Sequence, residues 1–598
     1  MASRRIVLNL IAALATTQAV SAQQPTPPTT TADSYAAPLS TDYATINVAG
    51  TSAMPAGYAP WWQKQVASPL SADDRPVDVS VSTLVSGALQ YSAQIRTFSE
   101  LPLIREQRIT EECGLFDWRV FAESDFQSRS DPVGNTLTVG DPNEDRFQET
   151  DWQFLGGMRR RNYHGGQFEI AQEFGLRDNN SIFFRPDDQG SSRLRMRYIQ
   201  PLKRGAGEYY NTSQIYLAKL DASAANDEFS RQLQSQVLEV ARSYWALYVE
   251  RASLLQRVKL TREGREIYDV LNQRRNLDVD QSQLYRAMSA VTERQAMLTR
   301  SQTAVRNAES RIIRLINDPS LEEDGLLELL PVAAPESQPV GVDMVQAKLT
   351  ALNMRPEIAQ ARKQISGAAR RRDIAVNELQ PVLDAVLESY VAGLNGNYDI
   401  SNSFGDQFTE GQPGFGVGLI YEYPVCNRTA RARLRRRQLE LRQLQSQLQA
   451  TIESLMLEVE VAVREVQTSY AELQAKYLSM QASQAEVVAI RKRWEVLAGN
   501  DPSATLFLDN LIAAQNRLAL SEHALAQTLA TYNLSLISLA RAKGTLLQEQ
   551  RIDIMRNRSN CLPSLSAFQS ELAINQQQLM PADEFDPVIV GDNPAIPQ

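Results

Sequence analysis

The stretch Tyr421–Arg437 reads YEYPVCNRTARARLRRR. It begins as a strand, with Tyr421 and Tyr423 on one side, stops at Pro424, and becomes a polar run holding six arginines. Proline cannot donate a ladder hydrogen bond, so it ends strand pairing and redirects the chain. No loop separates this strand from the basic helix that follows. A similar junction occurs at Tyr198–Asn211, YIQPLKRGAGEYYN, where Gly205 and Gly207 supply a looser bend. One architecture is expected to be built twice.

Upstream of Pro424, residues 414–423 (GFGVGLIYEY) alternate, with Phe415, Val417, Leu419, Tyr421 and Tyr423 sharing one face. A Gly/Asn/Asp-rich loop (393–413) joins this strand to another at 382–392, which follows Pro381. Downstream of Asn427 and Arg428, a stripe from Leu441 through Leu455, Val463 and Leu473 to Met480 steps by three or four residues. Its eleven steps span 39 residues, about 3.5 per step, which is coiled-coil periodicity. The predicted helix covers 428–497, about 105 Å at 1.5 Å per residue. A break around 497–503 turns it back into a partner helix ending near 548.

The first half has the same order. Strands are expected at 116–129 (FDWRVFAESDFQSR) and 192–200 (SRLRMRYIQ), the second closed by Pro201. Residues 130–180, rich in Gly, Asn, Asp and Arg, are expected to form a long polar loop. Helix follows from 208 to 317, broken at 274–281. The domain reading is a first repeat at 76–330, a connector at 331–342, a second repeat at 343–548 and a tail at 549–598. The halves also share a segment: VLEVARSYWAL (237–247) matches VREVQTSYAEL (463–473) at six of eleven positions.

The N-terminus reads as a secretory signal over residues 1–22. Arg4 and Arg5 precede the apolar run Ile6–Ala15, and Val20-Ser21-Ala22 is a small-residue cleavage site. Residues 23–75 read as a flexible Pro/Thr-rich leader. The chain has 61 Lys plus Arg against 70 Asp plus Glu, a net charge of −9. Loss of the two signal arginines leaves 59 against 70, or −11. That balance argues against nucleic-acid binding. No segment approaches 18 consecutive apolar residues, so any membrane crossing is left to strands. Cys113, Cys426 and Cys561 form neither a disulfide framework nor a metal-ligand spacing. They read as isolated thiols, with a Cys113–Cys561 bridge left open.

Four strands per chain cannot close a barrel, but several chains together can. The fold expected is mainly α with a small membrane β-barrel portion: two helix-strand-strand-helix-helix repeats, and long coiled-coil helices forming a tunnel. An apolar strand face would meet lipid and a polar face a lumen.

This pattern resembles the TolC-like outer-membrane efflux and secretion channels, the outer membrane factors. YIQPLKRGAGEYYN and YEYPVCNRTARAR are similar to that family's two strand-to-helix junctions, with Pro201, Gly205, Pro424, Asn427 and Arg428 at the corners. Asn353–Ile358 (NMRPEI) resembles the segment before the second strand pair, and Leu511–Leu547 the final helix through Gly544-Thr545-Leu546. The resemblance covers about residues 77–548. It implies a homotrimer with a 12-stranded barrel and a periplasmic helical tunnel in the outer membrane of a Gram-negative-type cell. It also implies a periplasmic adaptor, or membrane fusion protein, and an inner-membrane transporter as partners, in a tripartite efflux pump or type I secretion system. The channel would be a passive conduit, with no enzyme activity and no cofactor. Adaptor-docking tips would fall at Arg274, Asn276 and Leu277 and at Gly499, Asn500 and Asp501. The family's acidic aperture positions fall by spacing at Asn510 and Ala513, with Asp509 the nearest acid. Asp509 is read either as an aperture charge or as a solvated helix residue.

The two histidines, His164 and His523, lie in different halves, which disfavours a His-based triad or metal site. The arginine clusters 370–372 and 428–437 flank the second strand pair. They read either as snorkelling to lipid head groups or as solvated helix faces with ion pairs. The rival function is a non-pore periplasmic coiled-coil scaffold or adaptor.

Overall fold

The computed structural model describes residues 54–55, 57–70, 74–135, 137–140, 145–275, 279–321, 327–496 and 503–554. The signal reading at 1–22 and most of the tail reading lie outside them.

The elements run in chain order as α1 (Gln63–Val66), β1 (Arg75–Val79), α2 (Val81–Tyr91), α3 (Ala93–Cys113), β2 (Arg119–Pro132), β3 (Arg146–Arg161), β4 (Gln167–Asn179) and β5 (Asp188–Pro201). Then come α4 (Glu208–Asn211), α5 (Ser213–Gln273), α6 (Gln281–Ile316), β6 (Leu327–Pro331), α7 (Met344–Met354) and α8 (Pro356–Asn377). The last are β7 (Val382–Gly396), α9 (Ile400–Thr409), β8 (Gly414–Glu422), α10 (Arg428–Val496), α11 (Ser503–Lys543) and α12 (Leu546–Glu549).

The larger sheet is an antiparallel meander of six strands in the order β2-β3-β4-β5-β7-β8. This corrects two expectations. The region 130–180 is not a loop; most of it is the hairpin β3–β4. The chain therefore supplies six strands to this sheet rather than four, and the count behind a twelve-stranded barrel falls with it. The hairpin was hidden by composition. Its glycines and arginines look like a loop, yet Trp152, Phe154, Gly156 and Met158 alternate against Phe168, Ile170, Phe174 and Leu176. The region 393–413, read as a loop, also contains a helix, α9.

The register sorts side chains onto two faces, because successive residues of a strand point to opposite sides. One cross-strand row runs Val120, Met158, Ile170, Met196, Ser389, Phe415. The adjacent row, on the other face, runs Arg119, Arg159, Glu169, Arg197, Glu388, Gly416. The polar face is laced by Arg195–Glu169 at 3.0 Å and by Arg177 with Asp151 at 3.3 Å and Glu149 at 3.4 Å. The apolar face is left open at the edge strands: Val120 is 77% and Phe415 86% exposed. α9 lies over this face, where Gly393 leaves room for it; a Cβ there would sit 2.1 Å from the Ser403 carbonyl oxygen. Gln407 of α9 accepts a hydrogen bond from the Ser192 hydroxyl at 3.1 Å.

The helices bury their stripe within the chain. α5 pairs with α6, and α10 with α11. Leu455, Val459, Val463, Val466, Leu473, Tyr477 and Met480 are buried, as their spacing predicted, and all but Leu455 share one core with Leu525, Leu529 and Tyr532 of α11. The duplicated segment places equivalent residues in this core: Val237, Val240 and Leu247 of α5 correspond to Val463, Val466 and Leu473 of α10. The stripe residues nearest the sheet, Leu441, Leu444, Leu448 and Ile452, stay half-buried.

A two-stranded parallel sheet, β1–β6, docks on this core. Its anchor is Arg251, fully buried, which donates to Glu328 at 2.8 Å and to the carbonyls of Val66 at 3.0 Å and Ser68 at 2.8 Å. Glu309 accepts from the Leu329 amide at 3.2 Å and pairs with Arg306, which also binds Asp74. Burial pushes the Glu309 carboxyl above its ordinary range, against the pull of that amide and of Arg306 and Arg251.

The flexible-leader reading is corrected for its C-terminal part. Trp62 and Val66 are fully buried, and Trp61 donates its indole N–H to Glu522 at 3.0 Å. Aromatic anchors within a Pro/Ala-rich context gave this part a docking surface. The reading of isolated thiols is corrected for Cys113, which is disulfide-bonded; Cys426 is a free, exposed thiol, and Cys561 lies outside the described residues.

Candidate functional site: the strand-to-helix junctions and the hairpin ends

The two junctions singled out in the sequence meet at one place. After Pro201 ends β5, the Leu202 amide donates to the Leu383 carbonyl at 2.7 Å. Gly205 turns with φ +81° and Gly207 with φ +92°, conformations that favour glycine. The Gly205 amide donates to the Asn377 side chain at 2.8 Å, and the Asn211 side chain closes the bend on the carbonyls of Gly205 and Gly207 at 2.9 and 2.8 Å. In the second junction β8 ends at Glu422, and Asn427 adopts φ +39° just before Arg428 opens α10. Asn427 donates its side-chain amide to the Leu379 carbonyl at 3.1 Å, and Arg433 binds Glu378 at 2.5 Å. Both strand-to-helix corners are thus clasped by residues 377–383, where α8 passes into β7.

The β3–β4 turn joins the clasp, which sequence reasoning missed. The Gly207 amide donates to the His164 carbonyl at 3.3 Å, and Arg161 donates to Asn211 at 2.6 Å. His164 takes part here through its backbone. His523 is half-buried on α11, and burial lowers its pKa despite the opposing charge of Glu250, so its imidazole is neutral near pH 7.

Two other segments of the resemblance also come together. Arg355, in NMRPEI, is buried; it donates to the Arg541 carbonyl at 3.0 Å and pairs with Glu458 of α10. Pro356 occupies the first turn of α8, where its missing N–H costs nothing. Gly544, at φ +78°, packs against the same backbone: a Cβ there would lie 2.9 Å from the Met354 carbonyl carbon.

At the far ends of the hairpins, Arg274 follows α5, while Asn276, Leu277, Gly499, Asn500 and Asp501 lie outside the described residues. Asp509 is paired with Arg286 of α6, and Asn510 is exposed. Deeper in, buried Arg294 ties three helices, donating to Gln515 at 3.0 Å, Asn516 at 3.1 Å and the Leu260 carbonyl at 3.1 Å. Arg286 and Arg294 had no sequence signal, because their side-chain partners are more than 200 residues away.

Among the described residues there is no cluster able to hold a metal ion, and no helix is long and apolar enough to cross a membrane. What the chain presents is a two-faced sheet continued by paired long helices.

No family model and no curated protein matches the chain. Solved structures do. The outer-membrane channel OprN aligns with a TM-score of 0.56 at 15% identity, covering 83% of this chain and 96% of its own. The outer membrane protein VceC of Vibrio cholerae gives 0.54 at 14%, covering 78% and 96%. The Campylobacter jejuni CmeC outer membrane channel gives 0.55 at 12%, covering 89% and 94%. With its strand-to-helix junctions, paired long helices and these neighbours, the chain has the fold of the TolC-like outer-membrane channels.

Proposed function

We propose that this protein is an outer-membrane channel-tunnel. It would act as the passive exit duct of a tripartite efflux pump or type I secretion system, as a homotrimer opened by a periplasmic adaptor and an inner-membrane transporter. One observation carries the reading: a six-stranded sheet with one apolar and one charged face passes through short turns, 202–207 and 423–427, into long helices. A sheet so divided suits lipid on one side and water on the other.

Strand number fits closure by three chains. At the junction, α3 packs on α5, α5 on α8 and α8 on α10. Four helices per chain, roughly 9 Å apart, make about 110 Å around a three-chain ring. Eighteen strands spaced about 4.8 Å and tilted about 40° make about 113 Å; twelve make about 75 Å. The edge strands β2 and β8 would pair between chains and leave no free edge.

Planar-bilayer conductance of the purified protein, with an SDS-resistant, heat-modifiable oligomer in the outer-membrane fraction, is the expected result. A monomer in the soluble periplasm would refute it in favour of the scaffold reading.

A further inference from the structure

We propose that a cavity between α5, α8 and α10, just beyond the sheet, binds a phosphate-bearing lipid headgroup. The proposal rests on the reading of the sheet as membrane-embedded and adds a ligand to it. The cavity measures about 350 Å³, and its lining includes Arg371, Arg433, Arg436 and Arg437 together with Leu217 and Ile374.

Charge is the first argument. Glu378 binds Arg433 at 2.5 Å, and Glu440 binds Arg437 at 2.8 Å and Arg436 at 3.5 Å. Among the described residues Arg371 has no carboxylate within ion-pair distance. Two carboxylates therefore face four guanidinium groups. The surplus of two positive charges suits one doubly ionised phosphate or two phosphodiesters. The existing pairs are at most half-buried and open to solvent screening, so the guanidinium groups can re-pair with an incoming anion. Guanidinium matches phosphate oxygens in bidentate fashion.

The second argument is the helix itself. α10 has no acidic residue in its first turn, and its first ten residues contain six arginines. Cations near a helix N-terminus oppose the macrodipole. An anion in the cavity would offset the positive charge that these arginines accumulate. The third is the apolar wall. Leu217 and Ile374 offer nothing to a free phosphate ion but suit a glycerol backbone and the start of an acyl chain. The fourth is depth. Arg433 and Arg437 lie five and nine residues into α10, about 8 and 14 Å along it. The polar zone of a leaflet is roughly 5–7 Å deep, and arginine side chains reach back toward it.

The test is native mass spectrometry of the full chain in detergent, offered cardiolipin, phosphatidylglycerol or phosphatidylethanolamine. Inorganic phosphate and glycerol 3-phosphate are titrated calorimetrically in parallel. Retention of cardiolipin at least tenfold above phosphatidylethanolamine is expected. The double variant Arg371→Gln/Arg436→Gln should lower it at least tenfold, and the exposed single variant Arg436→Gln several-fold. The remote variant Arg262→Gln should retain lipid like the wild type. Equal retention by the double variant, or equal binding of the two lipids, overturns the proposal. Inorganic phosphate binding as tightly as cardiolipin overturns the lipid as source. A conducting channel without lipid preference sinks this inference alone, whereas absence of membrane insertion sinks the channel reading.

Discussion

Two regions of this chain are comparably apolar and meet opposite fates. The stripe of α10 from Leu455 to Met480 is buried against α11, whereas the apolar face of the sheet leaves Phe415 86% and Val417 75% exposed. The helical stripe finds its partner in the same chain. The sheet face finds none beyond α9. Apolar patches of that extent on one chain mark a surface meant for something other than water. The half-buried start of the α10 stripe, Leu441 to Ile452, lies between these extremes.

The comparison can be broken from either side. Leu473→Ala, in the helical core, should cost about 2–5 kcal/mol, read by urea unfolding of the detergent-solubilised protein. Met196→Arg, on the apolar face of central β5, should cost about 2–4 kcal/mol for refolding into bilayers. Arg195→Gln, one residue away on the polar face, should leave bilayer refolding nearly intact. If the two neighbours behave alike, the assignment of faces fails. Gly205→Ala places a side chain at φ +81° in ordinary contact with the Tyr210 ring at 3.9 Å, so about 1 kcal/mol of backbone strain is expected, visible as a lowered thermal midpoint. Arg286→Gln breaks an ion pair whose partners are 50% and 45% exposed. Less than about 1 kcal/mol of stability is at stake, so an effect of Arg286→Gln on conductance without loss of stability would mark that end as the gate.

The smallest effect concerns pH. Burial raises the Glu309 pKa in the folded chain, so the folded state holds that proton more tightly than the unfolded one. Its contribution to stability is full below the ordinary glutamate pKa and is lost as pH rises through the raised folded value. Glu309→Gln should flatten the stability-versus-pH curve in that window. An unchanged slope would assign the burial cost elsewhere.

What was legible in the sequence was periodic. The α10 stripe and the alternation of β5 and β8 announce themselves because apolar residues recur on one face of each, as Leu194, Met196 and Tyr198 do in β5 and Phe415, Val417, Leu419 and Tyr421 in β8. The hairpin β3–β4 was not legible, since Gly156-Gly157 and Arg159-Arg160-Arg161 dilute its alternation below the level of a strand signal. The Pro424 corner was visible, but its clasp was not: Asn427 reaches a carbonyl 48 residues away, and no local pattern encodes that. The buried set Arg251, Glu309 and Glu328 was silent for the same reason, because charged residues in a long helix read as solvated until the strand that covers them is placed.

The shared clasp has a consequence for biogenesis. The Gly205 amide is held by Asn377, a residue synthesised 172 positions later, and the Asn427 contact closes last. The first repeat therefore leaves the ribosome with its corner unlatched, and the second repeat supplies the latch. Half-chains expressed separately would each carry an incomplete hinge.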